Sequence, residues 1–267
     1  MLSLFASSTA KADFIQVSMT GLLNENANNT SRYNGDFRTG PVLVTSPAGP
    51  LTFMIPTTGN NEWNTAIAAP SLSAPVSSGP IQVAVAGVVN AFLLMNSVWG
   101  ALDAKAKVTF NYNTGPPDLF TLAAGTNFRD FNNDGYSNTT TSPNTQLAYG
   151  TSPGGAPNGQ PLHRLDLLTF HLSPLPVVNS GFSVLDQRIL QNIVIEDDGG
   201  GQILNGVKNP GNPASRIFVA GIIVQTAAAA VPEPGPIALA AVAGLAGLAG
   251  YRRRCREVVN GWMSRNA

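Results

Sequence analysis

The sequence predicts an all-β chain, a β-sandwich or jelly roll, that ends in one transmembrane helix. Three observations predict it. Gly 27 and Pro 20 in 267 residues put turn formers well above their ordinary share. About ten short runs of strand length, apolar or alternating, lie between those turn formers. The longest apolar run, residues 237–251, stands near the end and is the one segment that reads as a membrane helix.

Composition narrows the class further. Charged residues make up only 11%, and Lys+Arg 15 balance Asp+Glu 15, so the chain has no general attraction for nucleic acid. A hydrophobic fraction of 43% is too high for intrinsic disorder and is enough for a packed core. Cys255, the single cysteine, permits neither an intrachain disulfide nor a cysteine-rich zinc site.

Taken from the start, residues 1–12 read as a signal peptide. A short apolar stretch is followed by small residues ending in Ala10-Lys11-Ala12, which fits a signal-peptidase site and leaves Asp13 first in the mature chain. The stretch is shorter than a normal apolar region and no basic residues precede it, which fits a start lying inside a longer signal peptide. Residues 13–226 form the β-sandwich ectodomain. Strands are expected at 14–19, 42–45, 51–55, 81–85, 91–95, 107–113, 119–123, 165–172, 193–196 and 215–226. Val108, Phe110 and Tyr112 alternate with Lys107, Thr109, Asn111 and Asn113, marking a strand with one buried face. The run 215–226 differs, because Phe218, Ala220, Ile222 and Val224 oppose Ile217, Val219 and Ile223; it reads as a central strand covered on both sides. Residues 137–160 and 68–78, rich in Ser, Thr, Asn, Pro and Gly, read as surface loops.

The tail has three parts in a fixed order. Residues 227–236 are an Ala/Pro stalk containing Val231, Pro232, Glu233 and Pro234, and prolines at 232, 234 and 236 keep it extended. Residues 237–251 follow, about 22 Å as a helix against a hydrocarbon core of about 30 Å. Gly244, Gly247 and Gly250 offer this helix a small-residue face. Arg252, Arg253, Arg254 and Arg256 then open a basic cytoplasmic tail, 252–267, which by the positive-inside rule places 13–230 outside the inner membrane. Between Asp13 and Pro234 there are 9 basic and 14 acidic residues, so the mature domain is mildly acidic.

This order of Pro-Glu-Pro, apolar helix and arginine cluster resembles the PEP-CTERM sorting signal of exported Gram-negative bacterial proteins. The resemblance implies transient anchoring in the inner membrane, processing near the Pro-Glu-Pro by a membrane exosortase, and a final place on the cell surface or in the extracellular matrix. The residues after Arg256 depart from the usual ending of such tails. More weakly, residues 90–100, 107–112, 122–130 and 216–224 resemble galactose-binding-like jelly-roll modules, which implies a ligand site on loops at one end of a sandwich, without catalysis.

Four groups of residues carry candidate chemistry. Asp130, Asn132 and Asp134 alternate before Gly135, with Tyr136 able to add its carbonyl; that spacing places oxygens on one side of a tight loop, as calcium requires, although an Asx-rich turn explains the same residues. The twelfth position is Thr141, so the bidentate glutamate of an EF-hand is missing. Trp63 beside Asn61 and Asn64 offers a ring and amides to a sugar, or else a plug for one end of the sandwich. His163 and His171 lie on one strand roughly 26 Å apart, too far to share a metal, while Arg164 and Asp166 are spaced as a structural ion pair. Glu196-Asp197-Asp198 precedes three glycines and reads as a solvated acidic turn. No phosphate loop, G-x-G-x-x-G or H-E-x-x-H occurs. The expected function is therefore a non-catalytic, exopolysaccharide-associated surface protein, with calcium as a structural ion. The alternative is a secreted polysaccharide hydrolase using carboxylates among Asp130, Asp134, Glu196, Asp197 and Asp198.

Overall fold

Two strands set the architecture, because their sequences leave no face for water. In the computed structural model, β7 (Val88–Val98) and β15 (Arg216–Thr226) pair antiparallel at the middle of one sheet, and ten of the eleven residues of β15 are buried. The structure describes residues 12–29, 37–68, 75–98, 104–131, 139–151, 163–172, 188–198, 203–204, 207–208 and 216–228. The expected membrane segment 237–251 lies outside them, as do both ends of the sorting tail. Among the described residues no helix is long and apolar enough to cross a membrane.

The central sheet runs β1 (Phe14–Gln16), β15, β7, β11 (His163–His171), β10 (Thr145–Thr151), with β4 (Trp63–Asn64) pairing with β15 as well. A second sheet runs β5 (Val76–Ser77), β12 (Ile189–Asp197), β8 (Lys105–Tyr112), β9 (Asp118–Ala123), with β6 (Ile81–Ala86) also on β12. Two hairpins stand apart: β2 (Gly40–Ser46) with β3 (Gly49–Ile55), and β13 (Ile203–Leu204) with β14 (Val207–Lys208). Every pairing between these strands is antiparallel.

The two large sheets form a sandwich. Leu93, Met95, Leu168, Phe170, Ile222 and Val224 of the central sheet meet Val108, Phe110, Ile193 and Ile195 of the second. The central sheet has a further core on its other face, where Phe92, Leu94, Leu165, Leu167, Phe218 and Ile223 meet Val42, Val44, Leu51, Phe53 and Ile55 of the β2–β3 hairpin. The sandwich therefore carries a third layer. Each side chain of this size contributes about 1.5–3 kcal/mol when fully buried, which is what holds a two-stranded hairpin that could not persist alone.

Hairpin edges expose backbone, and two glutamines cover part of it. Gln16 on β1 donates its side-chain N–H to Met54 O at 2.8 Å and accepts from Met54 N at 2.6 Å. At the opposite edge Gln146 on β10 donates to Thr45 O. β1 and β10 are the two outer strands of the central sheet, so each sends one amide across to the layer that lies over it. Gly87, with φ +65, turns the chain from β6 in the second sheet to β7 in the central one.

All ten expected strands form. The stretch 137–160 requires a correction, because 145–151 is strand β10, paired with β11, rather than loop. It escaped notice because an edge strand buries little: among its described side chains only Tyr149 is buried. Within 68–78, Val76–Ser77 likewise pairs with Asp197 and Glu196.

The layers approach closely at Gly221, where a Cβ would come 2.8 Å from Cδ1 of the fully buried Phe53. Gly221→Ala is expected to destabilise the domain by about 1–3 kcal/mol in urea denaturation. Unchanged stability would mean that the hairpin does not press on the central sheet.

Candidate functional site

The acidic turn at the end of β12 is divided by the fold. Asp197 points inward and is 1% exposed; its Oδ2 accepts from the Thr65 hydroxyl at 2.5 Å and from the Ile217 N–H at 3.2 Å, and lies 3.5 Å from Nη1 of the fully buried Arg216. Asp198 points outward to Lys107, 3.0 Å away. Glu196 sits opposite Lys107 in the strand register. The expectation of a solvated turn is thus corrected at Asp197, where Arg216 brings a buried guanidinium that requires a counter-charge. Lys107 has its pKa raised, first by the hydrogen bond to Asp198, then by the charge of Asp198.

A second buried ion pair joins Asp166 to Arg129 rather than to Arg164. The Arg129 guanidinium donates from Nε and Nη2 to the two carboxylate oxygens of Asp166, both at 2.7 Å. Arg164, fully buried, donates from Nε to the carbonyl of Asp130 at 2.9 Å, and its own carbonyl accepts from Asn96 at 3.0 Å. These bonds fix the segment 129–131 against Ser97, whose N–H donates to Arg129 O at 3.0 Å and whose carbonyl accepts from Phe131 N at 2.9 Å. Asp130 is consequently 2% exposed at the root of the expected calcium loop. Asn132, Asp134 and Tyr136 lie outside the described residues. Among the described residues no three His, Cys, Asp or Glu side chains are grouped to hold a metal. His163 stacks on Phe131 and His171 meets Asn90, at opposite ends of the unbroken β11.

The expected sugar-binding group is interior. Trp63 is 2% exposed and packs in the core between the two large sheets, so its ring presents no face to a saccharide; this corrects the stacking role. Asn61 and Asn64 are buried by an asparagine-rich segment that runs alongside them. Asn64 N–H donates to Asn24 Oδ1 at 2.7 Å, Asn64 Nδ2 to Glu25 Oε2 at 2.5 Å, and Asn61 Oδ1 accepts from Ala27 N at 2.9 Å. Glu25 and Glu62 close this seam as a backbone bridge. Their amides stitch the first segment of the domain to β4. Trp99 lies outside the described residues.

Sequence reading missed Arg129, Thr65, Arg216 and Asn24 as partners. A signal for one of them exists: Arg216 is the lone charge of a strand that is apolar on both faces, a setting in which a charge requires a partner from elsewhere in the chain.

What the surface offers instead is the outer face of the second sheet. Three cross-strand rows lie there: Glu196, Lys107 and Thr121; Val194, Thr109 and Leu119; and Asn192 with Asn111, whose amides bond at 2.9 Å. Leu119 and Thr121 are exposed, and the other members of the rows are half-buried. This strip carries hydroxyls and amides that can pair with uncharged polar groups, the apolar Val194 and Leu119, and the carboxylates of Glu196 and Asp198 on either side of Lys107. No protein-family model, curated protein or solved structure matches the chain.

Asp197→Ala, which leaves Arg216 buried beside a missing counter-charge, is expected to cost about 3–5 kcal/mol in urea denaturation, whereas Asp198→Asn leaves stability nearly unchanged; equal effects would contradict the division of the turn. Burial pushes the pKa of Tyr149 above its ordinary 10.0. Its neutral form is therefore favoured in the folded state, full stability is present below pH 10, and stability is lost as pH rises further. Tyr149→Phe is expected to flatten the fall in denaturation midpoint between pH 9 and pH 11; an unchanged slope would contradict it.

Proposed function

We propose that the chain is a non-catalytic protein of the cell surface or extracellular matrix, exported across the inner membrane and held there for a time by its C-terminal tail. An exosortase-type enzyme processes it near Val231-Pro232-Glu233-Pro234, and the ectodomain then associates with exopolysaccharide. The order of stalk, apolar run and Arg252-Arg253-Arg254 supports the sorting part. The observation that supports the non-catalytic part is the acidic turn, where Asp197 faces Arg216 inside and the two outward carboxylates, Glu196 and Asp198, both lie beside the cation of Lys107. A glycosidase of the usual kind needs two carboxylates facing one bond, and Asp130 is also buried.

The sugar-facing surface in this reading is the outer strip of the second sheet, where Thr109, Thr121, Asn111 and Asn192 supply hydroxyl and amide groups suited to sugar hydroxyls. The finer assignment, a jelly roll of the galactose-binding-like kind, belongs to the same reading. Structural calcium at Asp130, Asn132, Asp134 and Tyr136 rests on their spacing.

Mass spectrometry of the extracellular fraction is expected to find a mature N-terminus at Asp13 and no peptide from Arg252 onward, and the released protein is expected to bind exopolysaccharide without liberating reducing sugar. An intact tail in released protein would overturn processing. Sugar release abolished by Glu196→Gln or Asp198→Asn would overturn the non-catalytic assignment. EDTA is expected to lower the melting temperature and Asp134→Ala to remove that difference; identical curves would remove calcium from the reading.

A further inference from the structure

The first and last strands of the domain are partners. Asp13 and Thr226, 213 positions apart, are joined twice: the Asp13 N–H donates to Thr226 Oγ1 at 3.2 Å and the Thr226 N–H to Asp13 O at 3.0 Å. Phe14, Ile15 and Gln16 then lie opposite Gln225, Val224 and Ile223, and Val17 N–H donates to Ile222 O at 2.9 Å. Ala227 N–H still donates to Gly87 O at 2.8 Å, so order extends to the residue just beyond β15. Asp13 and Thr226 thus lie side by side at one end of the central sheet.

β15 is also the strand on which both cores depend. It supplies Ile217, Val219, Ile222 and Val224 to the core between the large sheets, and Phe218, Ala220 and Ile223 to the core under the hairpin. Until residues 216–226 are present, β7 lacks a neighbour on one edge and both cores lack the apolar side chains of this strand. Closing a sheet between the first and last strands is also the most non-local step in the chain, so its entropic cost comes before its reward. Pro232 follows Ala228 by four residues, a reach of at most about 14 Å. The strand that completes the fold therefore stands directly ahead of the sorting tail.

We propose that β1 and β15 are a clasp that closes the ectodomain only when the chain has crossed the membrane as far as the tail, so that the domain folds while still tethered and the tail-processing enzyme meets a folded substrate. This rests on the export reading given above. The clasp makes the native fold a report that the whole ectodomain has been delivered.

A disulfide across the clasp reads its closure. Thr226 N–H donates to Asp13 O and Val17 N–H to Ile222 O, which in the antiparallel register makes Phe14 and Gln225 a non-hydrogen-bonded pair, with Cα atoms about 4.5 Å apart, inside the range a disulfide accepts. The full-length precursor carrying Phe14→Cys, Gln225→Cys and Cys255→Ser is pulse-labelled in exporting cells, and its leader, tail and bridge are followed by non-reducing gel. Bridged molecules that have lost the leader but retain the tail are expected first, with nearly all tail-shortened molecules bridged from the moment they appear. Leader-free, tail-bearing molecules that stay reduced while tail-shortened ones are bridged would overturn the order. A chain that keeps its leader inside the cell overturns the export reading and the order with it, so the two failures are told apart. Because Phe14 packs on Phe92, the unsubstituted precursor supplies a second readout: brief proteolysis of tail-bearing molecules is expected to leave a resistant fragment of residues 13–228, and its absence from them would also overturn the proposal.

Discussion

The structure depends on one constraint: its central sheet is apolar on both faces, so both must be covered. β7 and β15 place Leu93, Met95, Ile222 and Val224 on one side and Phe92, Leu94, Phe218 and Ile223 on the other. One sheet cannot cover both. The second sheet takes the first face and the β2–β3 hairpin takes the other, which is why a domain that reads as a two-sheet sandwich carries a third layer. The glutamine contacts follow from the same constraint. A two-stranded cover has two open edges, and Gln16 and Gln146 reach them from the two outermost strands of the sheet it covers.

Polar groups inside this arrangement serve position rather than reaction. Arg216 begins a strand otherwise apolar on both faces, and Asp197 meets it there, held by donation from the Thr65 hydroxyl and the Ile217 N–H. Asp166 lies buried within β11, and Arg129 comes from a loop to form two parallel bonds with it. Both pairs tie an end of one element to a different part of the chain. The asparagine seam between residues 24–27 and 61–64 works likewise through amides and the Glu25 carboxylate, joining the stretch after β1 to β4. Side chains that look like binding groups in one dimension are here the fasteners between layers.

How much of this was legible in the sequence varies with the range of the interaction. Strands whose pattern is local, such as Val108, Phe110 and Tyr112 alternating with polar residues, are readable because pleat and burial are set by immediate neighbours. The doubly covered character of β15 is readable for the same reason. β10 is not, since Thr145–Thr151 is a polar edge strand held by its partner β11 and by Tyr149. Val42, Val44, Leu51, Phe53 and Ile55 announce a buried face without saying what buries it. The candidate sites were least legible. Trp63, Asn61, Asn64 and Asp197 carry chemistry suited to ligands, and only residues more than thirty positions away, such as Asn24, Ala27 and Arg129's neighbour Asp130 against Arg164, reveal that the fold already uses such groups.

The account makes the doubly covered pair β7–β15 the last part of the domain to open. Native-state amide hydrogen exchange on residues 12–228 tests this directly. The amides of β7 and β15 are predicted to form the slowest class, exchanging only through global unfolding, with those of β8 and β12 exchanging sooner. If β8 and β12 are slowest while β7 and β15 exchange through a cheaper local opening, the central sheet is not the element on which the structure depends.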